Sequence, residues 1–176
     1  HIHGYENDGI LNTLRAADLQ NESNEKVTVM FVPSYLNGAD GVFNLTYSQF
    51  LSAFDFSVFP SYYEPWGYTP LESVSLGIPT LTTDLAGFGK FVQKEGLAGD
   101  AVTVVHRQEE NINQVIDDIV AAMRRFLEKS PDEMKVISEK AMTIADRLLW
   151  KDLIVSYQQA WDLALEQPSG RHYLLE

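Results

Sequence analysis

Phe59-Pro60-Ser61-Tyr62-Tyr63-Glu64-Pro65-Trp66-Gly67-Tyr68-Thr69-Pro70-Leu71-Glu72 decides how the rest of this chain is read. The apolar run that ends at Pro60 reads as a buried strand. Thr69-Pro70-Leu71-Glu72 predicts the first turn of a helix, with Thr69 as N-cap, Pro70 at the first helical position and Glu72 closing a capping box. Between strand and helix, Gly67 lets a ligand approach the backbone, and the helix start offers free amides and the positive end of a dipole to a phosphate. Glu64 and Glu72 thus fall eight residues apart across a strand end, a glycine loop and a helix start, which suits a sugar nucleotide.

Each of these residues also has a plainer reading. A capping-box Glu72 serves stability alone. Glu64 follows a strand, precedes a proline and has no helical neighbour, so its charge falls at the C-terminal edge of a sheet, where open α/β folds bind ligands. Tyr62, Tyr63, Trp66 and Tyr68 are dense enough to fill a core, with one or two of them facing a cleft.

Outward from this stretch, strand-like and helix-like segments alternate, the pattern of a parallel sheet covered by helices. Asn7 or Asp8 caps a helix to about Leu19, and Val27 to Val32 is a β-branched strand ending at Pro33. A Gly- and Asn-rich loop follows from Ser34 to Asn44. Thr46 caps a short helix with Tyr47, Phe50, Leu51 and Phe54, before a strand from Phe56 to Phe59. The helix from Pro70 stops at Gly77. A strand near Thr80 to Thr83, a loop containing Gly87 and Gly89, and a strand from Ala101 to Val105 come next. Apolar positions at helical spacing then run from Ile112 to Leu127, Met134 to Leu149 and Leu153 to Leu165. The expected fold class is α/β: a Rossmann-like parallel sheet with helices on both faces and a helical C-terminal segment.

Composition fits one such domain, with 176 residues and 45% hydrophobic content. A net charge of -12 without a basic stripe argues against nucleic acid and against an anionic membrane surface, since binding to phosphate backbones relies on clustered Lys and Arg. There is no cysteine, which excludes disulfides and thiolate chemistry. No apolar run reaches the length of a membrane span and no signal peptide opens the chain, so a cytoplasmic protein is expected.

The string Tyr62-Tyr63-Glu64-Pro65-Trp66-Gly67-Tyr68-Thr69-Pro70, with Gly77-Ile78-Pro79, Thr82-Thr83 and Gly87-Phe88-Gly89 downstream, resembles the donor-binding half of glycogen synthases of the animal and fungal type, also found in some bacteria. Asn7-Asp8-Gly9-Ile10-Leu11-Asn12 and Val27 to Pro33 resemble that family's preceding helix and strand, and Leu149-Trp150-Lys151-Asp152-Leu153 with Tyr157 its closing helix. The resemblance implies the C-terminal half of a two-domain GT-B glycosyltransferase, with residues 1–174 forming part of that domain and the N-terminal acceptor domain absent; Leu175-Glu176 reads by itself as a vector scar. His1-Ile2-His3 reads as a truncated family segment rather than a metal site.

What the resemblance implies for function is retaining transfer of glucose from a nucleotide diphosphate glucose to the non-reducing end of an α-1,4-glucan. UDP-glucose is favoured and ADP-glucose is the alternative. Glu64 would then hold the glucose hydroxyls as the catalytic residue. Donor binding would fall to Tyr47, stacking on the base, to Trp66, to Gly67, Tyr68 and Thr69 through their amides, and to Glu72 on the ribose. Tyr47 has a second reading as an ordinary core aromatic. No metal or cofactor is implied, and the full-length enzyme is expected to be a homo-oligomer. The family's basic residues for the donor diphosphate have no counterpart here. Nor has the arginine run that binds a sugar phosphate activator: Ser130 to Arg147 offers Lys135, Lys140 and Arg147 among Asp132, Glu133, Glu139 and Asp146. Rival classes are another retaining GT-B glycosyltransferase, a glycoside hydrolase with its own carboxylate pair, and a noncatalytic nucleotide-sugar-binding module.

Overall fold

A computed structural model describes residues 8–166. The readings of His1-Ile2-His3, Asn7 and Leu175-Glu176 lie outside the described residues. The chain divides into two compact units, residues 1–50 and 51–176.

In the first unit, α1 (Gly9–Ala16) is capped by Asp8, whose carboxylate accepts from the amides of Ile10 and Leu11 at 2.9 and 3.0 Å. The helix stops short of Leu19 because Asp18 adopts a left-handed conformation (φ 54°) and the Leu19 amide turns back to the Leu14 carbonyl at 2.9 Å, a Schellman-type ending. The strand expected from Val27 to Val32 does not form among the described residues. A β-branched run becomes a strand only against a neighbouring strand; here the amide and carbonyl of Val29 bond instead to the Asn21 side chain, at 2.8 and 3.0 Å. The glycine-rich loop is folded around Asp40, which accepts from the amides of Val42, Phe43 and Asn44. Those bonds, Phe43's first, hold its carboxyl below the ordinary range. Thr46 opens α2 (Tyr47–Leu51) in a capping box with Gln49: the Thr46 amide donates to Oε1 at 3.0 Å and the Gln49 amide to Oγ1 at 3.4 Å. Phe54 falls beyond the helix end.

The second unit runs β1 (Ser57–Val58), α3 (Tyr68–Ser75), β2 (Thr80–Thr83), α4 (Gly87–Lys94), β3 (Val102–Val105), α5 (Ile112–Leu127), α6 (Pro131–Asp146) and α7 (Trp150–Glu166). The three strands are parallel in the order β1-β2-β3, with Ser57 opposite Thr80 and Thr80 opposite Val102. Strand β1 is shorter than expected, although the Phe59 amide still donates to the Leu81 carbonyl at 2.8 Å before Pro60, which has no N–H to give. Successive residues of β2 feed opposite faces of the sheet. Val74 of α3, Phe88 and Val92 of α4, Val102, and Ala141 and Ile144 of α6 form one core. Leu81, Val105, and Val115 and Ala122 of α5 form the other. Helices therefore cover both faces, as the alternating pattern predicts. A buried cluster of hydroxyls pins α3 to the sheet, with Ser57 Oγ 2.7 Å from Ser73 Oγ and 2.8 Å from Thr80 Oγ1.

Residues 87–94 correct an expectation. Gly87 and Gly89 read as a loop, yet they lie in the first turn of α4. Their glycines answer to close packing rather than to a turn: a Cβ on Gly87 would overlap the Pro65 carbonyl oxygen, and one on Gly89 the Thr83 carbonyl oxygen. The helix forms because Phe88 and Val92, four residues apart, are both fully buried. Helix α6 likewise starts earlier than its apolar spacing suggested, at Pro131, because Ser130 and Glu133 complete a capping box ahead of it.

Candidate functional site

At the C-terminal end of the sheet, the chain leaving β1 and the chain leaving β2 continue side by side. The Thr83 hydroxyl donates to the Ser61 carbonyl at 2.8 Å. Glu64 forms a parallel bridge with Ala86, its amide donating to Leu85 O at 3.4 Å and its carbonyl accepting from Gly87 N at 3.1 Å. Two residues on, the Phe88 amide donates to the Trp66 carbonyl at 2.6 Å. The backbone that carries Glu64 is thus fixed to β2 and α4, while its half-buried carboxylate accepts from the Ser61 hydroxyl at 3.3 Å.

Gly67 stands next to that carboxylate. It is buried, with φ 110° and ψ 68°, and a Cβ placed on it would lie 3.6 Å from Glu64 Oε2 and 3.1 Å from Pro70 Cγ. This backbone conformation overturns the expected helix start. Gly67, not Thr69, is the N-cap of α3, so Thr69 is the second helical residue and Pro70 the third. Pro70 is tolerated there because amides of the first turn have no intrahelical acceptor. The capping box of Thr69 and Glu72 does not form; α3 has no side-chain cap. Glu72 lies past the first turn and is exposed, so helix capping does not account for it.

The result is a helix N-terminus with the amides of Tyr68 and Thr69 unclaimed by any capping side chain, beside a carboxylate at the sheet edge. Tyr68 is 70% exposed and Tyr63 79%. Trp66 is half-buried against Phe88 and Phe91, with ring centroids 6.3 and 6.1 Å apart, and so anchors the loop to the core. Tyr47 belongs to the first unit, where it is the first residue of α2 behind the Thr46 cap. Among the described residues, no group of three or more His, Asp or Glu is arranged to hold a metal ion, and no helix is long and apolar enough to cross a membrane.

The sequence reading missed three residues at the same sheet edge. Asp84, just after β2, accepts from the Arg107 amide at 3.0 Å and pairs with the His106 ring. Arg107, just after β3, donates from Nη1 to the Pro60 carbonyl, and its guanidinium carbon lies 3.4 Å from the centroid of the Tyr62 ring. A charged residue two places after a buried strand is a weak signal in a sequence, since the partners of the Arg107 guanidinium are 45 or more residues away.

Comparison with known proteins agrees with the resemblance carried by residues 62–70. The family model described as glycogen synthase matches residues 2–176. The chain is 32% identical to glycogen (starch) synthase isoform 1 of Saccharomyces cerevisiae, over 92% of this chain and 23% of that protein. It is 33% identical to the glycogen (starch) synthase of Neurospora crassa, over 91% of this chain and 23% of that protein. With the liver glycogen (starch) synthase of Mus musculus it shares 32% identity, over 96% of this chain and 24% of that protein. It therefore spans about a quarter of the length of the curated relatives it matches. With its family motif built into a parallel α/β sheet edge, the chain belongs to the glycogen synthase family.

Proposed function

We propose that this chain is the donor-binding part of a glycogen synthase of GT-B architecture, which transfers glucose with retention from a nucleotide diphosphate glucose to the non-reducing end of an α-1,4-glucan. The observation that carries this reading is the placement of Glu64 against Gly67 at the start of α3. A donor whose distal phosphate sits on the Tyr68 and Thr69 amides has its sugar next to the Glu64 carboxylate. Charge develops on that phosphate as the nucleoside diphosphate leaves, and fixed amides at the positive end of a helix dipole stabilise it without reorganisation. Glu64 accepts hydrogen bonds from the glucose hydroxyls and sets the anomeric carbon for attack. Glu72, exposed one turn further along α3, binds the ribose hydroxyls. Trp66 supports the donor loop from behind. UDP-glucose is the favoured donor over ADP-glucose, no metal or cofactor takes part, and the full-length protein works in the cytoplasm as a homo-oligomer.

The test is Glu64→Gln in the full-length protein. The substitution keeps the size of the side chain and the backbone bonds to Leu85 and Gly87, and it removes the charge. Turnover should fall by a factor on the order of 100 or more, with nucleotide binding nearly unchanged. Wild-type turnover in this variant would refute the role given to Glu64.

A further inference from the structure

We propose that Arg107 is a positioning residue for Glu64, a role that rests on the reading of Glu64 given above. Arg107 is only 5% exposed. Among the described residues its guanidinium has no carboxylate partner, and Nε finds no acceptor. Asp84 accepts from the backbone amide of Arg107 and from His106, not from the guanidinium. A buried, unneutralised cation is a poor way to stabilise a fold, because it loses its hydration and gains no ion pair in return. What it gains is a grip on one segment. Nη1 donates to the carbonyl of Pro60, and the guanidinium plane lies 3.4 Å from the centre of the Tyr62 ring. Pro60 and Tyr62 bracket Ser61, whose hydroxyl donates to the Glu64 carboxylate and whose carbonyl accepts from Thr83.

Together with the Thr83 bond to Ser61, Arg107 thereby fixes, from just after β3, the first half of the loop whose second half is fixed by β2 and α4. Proline ends the β1 ladder, so no backbone–backbone bond to β2 holds residues 60–62 in its place. A planar, forked guanidinium can bond a carbonyl and stack on a ring at once, which lysine cannot. The direction of the Glu64 carboxylate therefore depends on a residue that touches neither the sugar nor the nucleotide.

The test uses the full-length protein with Arg107→Met, Arg107→Lys and Tyr62→Ala, reading kcat, donor KM and amide hydrogen exchange. Arg107→Met should lower kcat about 30-fold while donor KM changes less than about threefold, since α3 and its amides are untouched. Arg107→Lys, which retains a donor for Pro60 without the stack, should recover part of that loss, and Tyr62→Ala should show a smaller fall of the same kind. Exchange at the Ser61 and Glu64 amides should quicken in Arg107→Met while β2 and β3 keep their protection. An unchanged kcat in Arg107→Met, or a fall in kcat matched by an equal rise in KM, would overturn the proposal. If Arg107→Met does not fold, full activity in both Arg107→Lys and Tyr62→Ala would overturn it equally. A wild-type protein that turns over no nucleotide sugar would refute the transferase reading instead; unaltered exchange at Ser61 and Glu64 would then refute the positioning role on its own.

Discussion

Gly67→Ala is expected to damage both stability and donor chemistry, and the structure separates the two causes. At φ 110° an L-residue is strained, which costs about 1–2 kcal/mol. The new Cβ would also sit 3.1 Å from Pro70 Cγ and 3.4 Å from Phe88 Cβ, and both of those residues are buried. Overpacking of that kind adds about 1–3 kcal/mol, for a total of about 2–5 kcal/mol. Gly96 supplies the control. It too has positive φ, 65°, but a Cβ there meets nothing within 4 Å. Gly96→Ala should therefore show the backbone cost alone, about 1 kcal/mol. Thermal melts of the two variants should differ by several degrees, on the order of 2–4 °C for each kcal/mol. Turnover should fall in Gly67→Ala and not in Gly96→Ala, because only the first places a methyl group 3.6 Å from Glu64 Oε2. Equal melting points, or full turnover in Gly67→Ala, would refute the idea that this glycine is required by contact as well as by backbone shape.

Glu72→Ala should weaken nucleotide binding, measured by titration calorimetry, and leave stability within about 0.5 kcal/mol, because the exposed carboxylate caps nothing in α3. Glucose 6-phosphate at millimolar concentration should not activate the full-length enzyme: α6 and its C-cap carry Lys135, Lys140 and Arg147 among four acids, and Arg147 is already paired with Glu95 at 2.9 Å. Stimulation that disappears in the Lys135→Ala, Lys140→Ala, Arg147→Ala triple variant would contradict this. Ser130→Ala should cost about 1 kcal/mol in a denaturation curve through loss of the α6 cap. The same cap predicts a pH dependence. The Ser130 amide first, and then its hydroxyl, hold the Glu133 carboxyl below the ordinary range. A lowered value in the folded state means that the stabilisation is complete at neutral pH and is lost as the pH falls through the folded pKa. The gap between wild type and Glu133→Gln should therefore close on acidification.

Local chemistry was legible wherever a residue and its partner lie within a few positions of each other. Asp8 capping α1, Thr46 capping α2, the strand at Thr80 to Thr83 and the helix from Ile112 to Leu127 all follow from neighbours along the chain. The family, too, could be read from nine consecutive residues, 62–70, because their side chains and glycine are specified together by one loop. Only the tertiary structure decided the rest. Gly87 and Gly89 had the look of a loop because their reason is a carbonyl oxygen of another segment, and proximity across segments leaves no local pattern. Val27 to Val32 has strand propensity and no ladder among the described residues, since propensity describes a fit to neighbours rather than the neighbours themselves. Thr69 and Glu72 spell a capping box, yet Gly67 can adopt φ 110° and starts the helix two residues earlier, so backbone geometry overrode side-chain spelling. Arg107 was silent in the sequence for the same reason: its meaning lies in Pro60 and Tyr62, which reach it only once three parallel strands have brought their C-terminal ends to one edge.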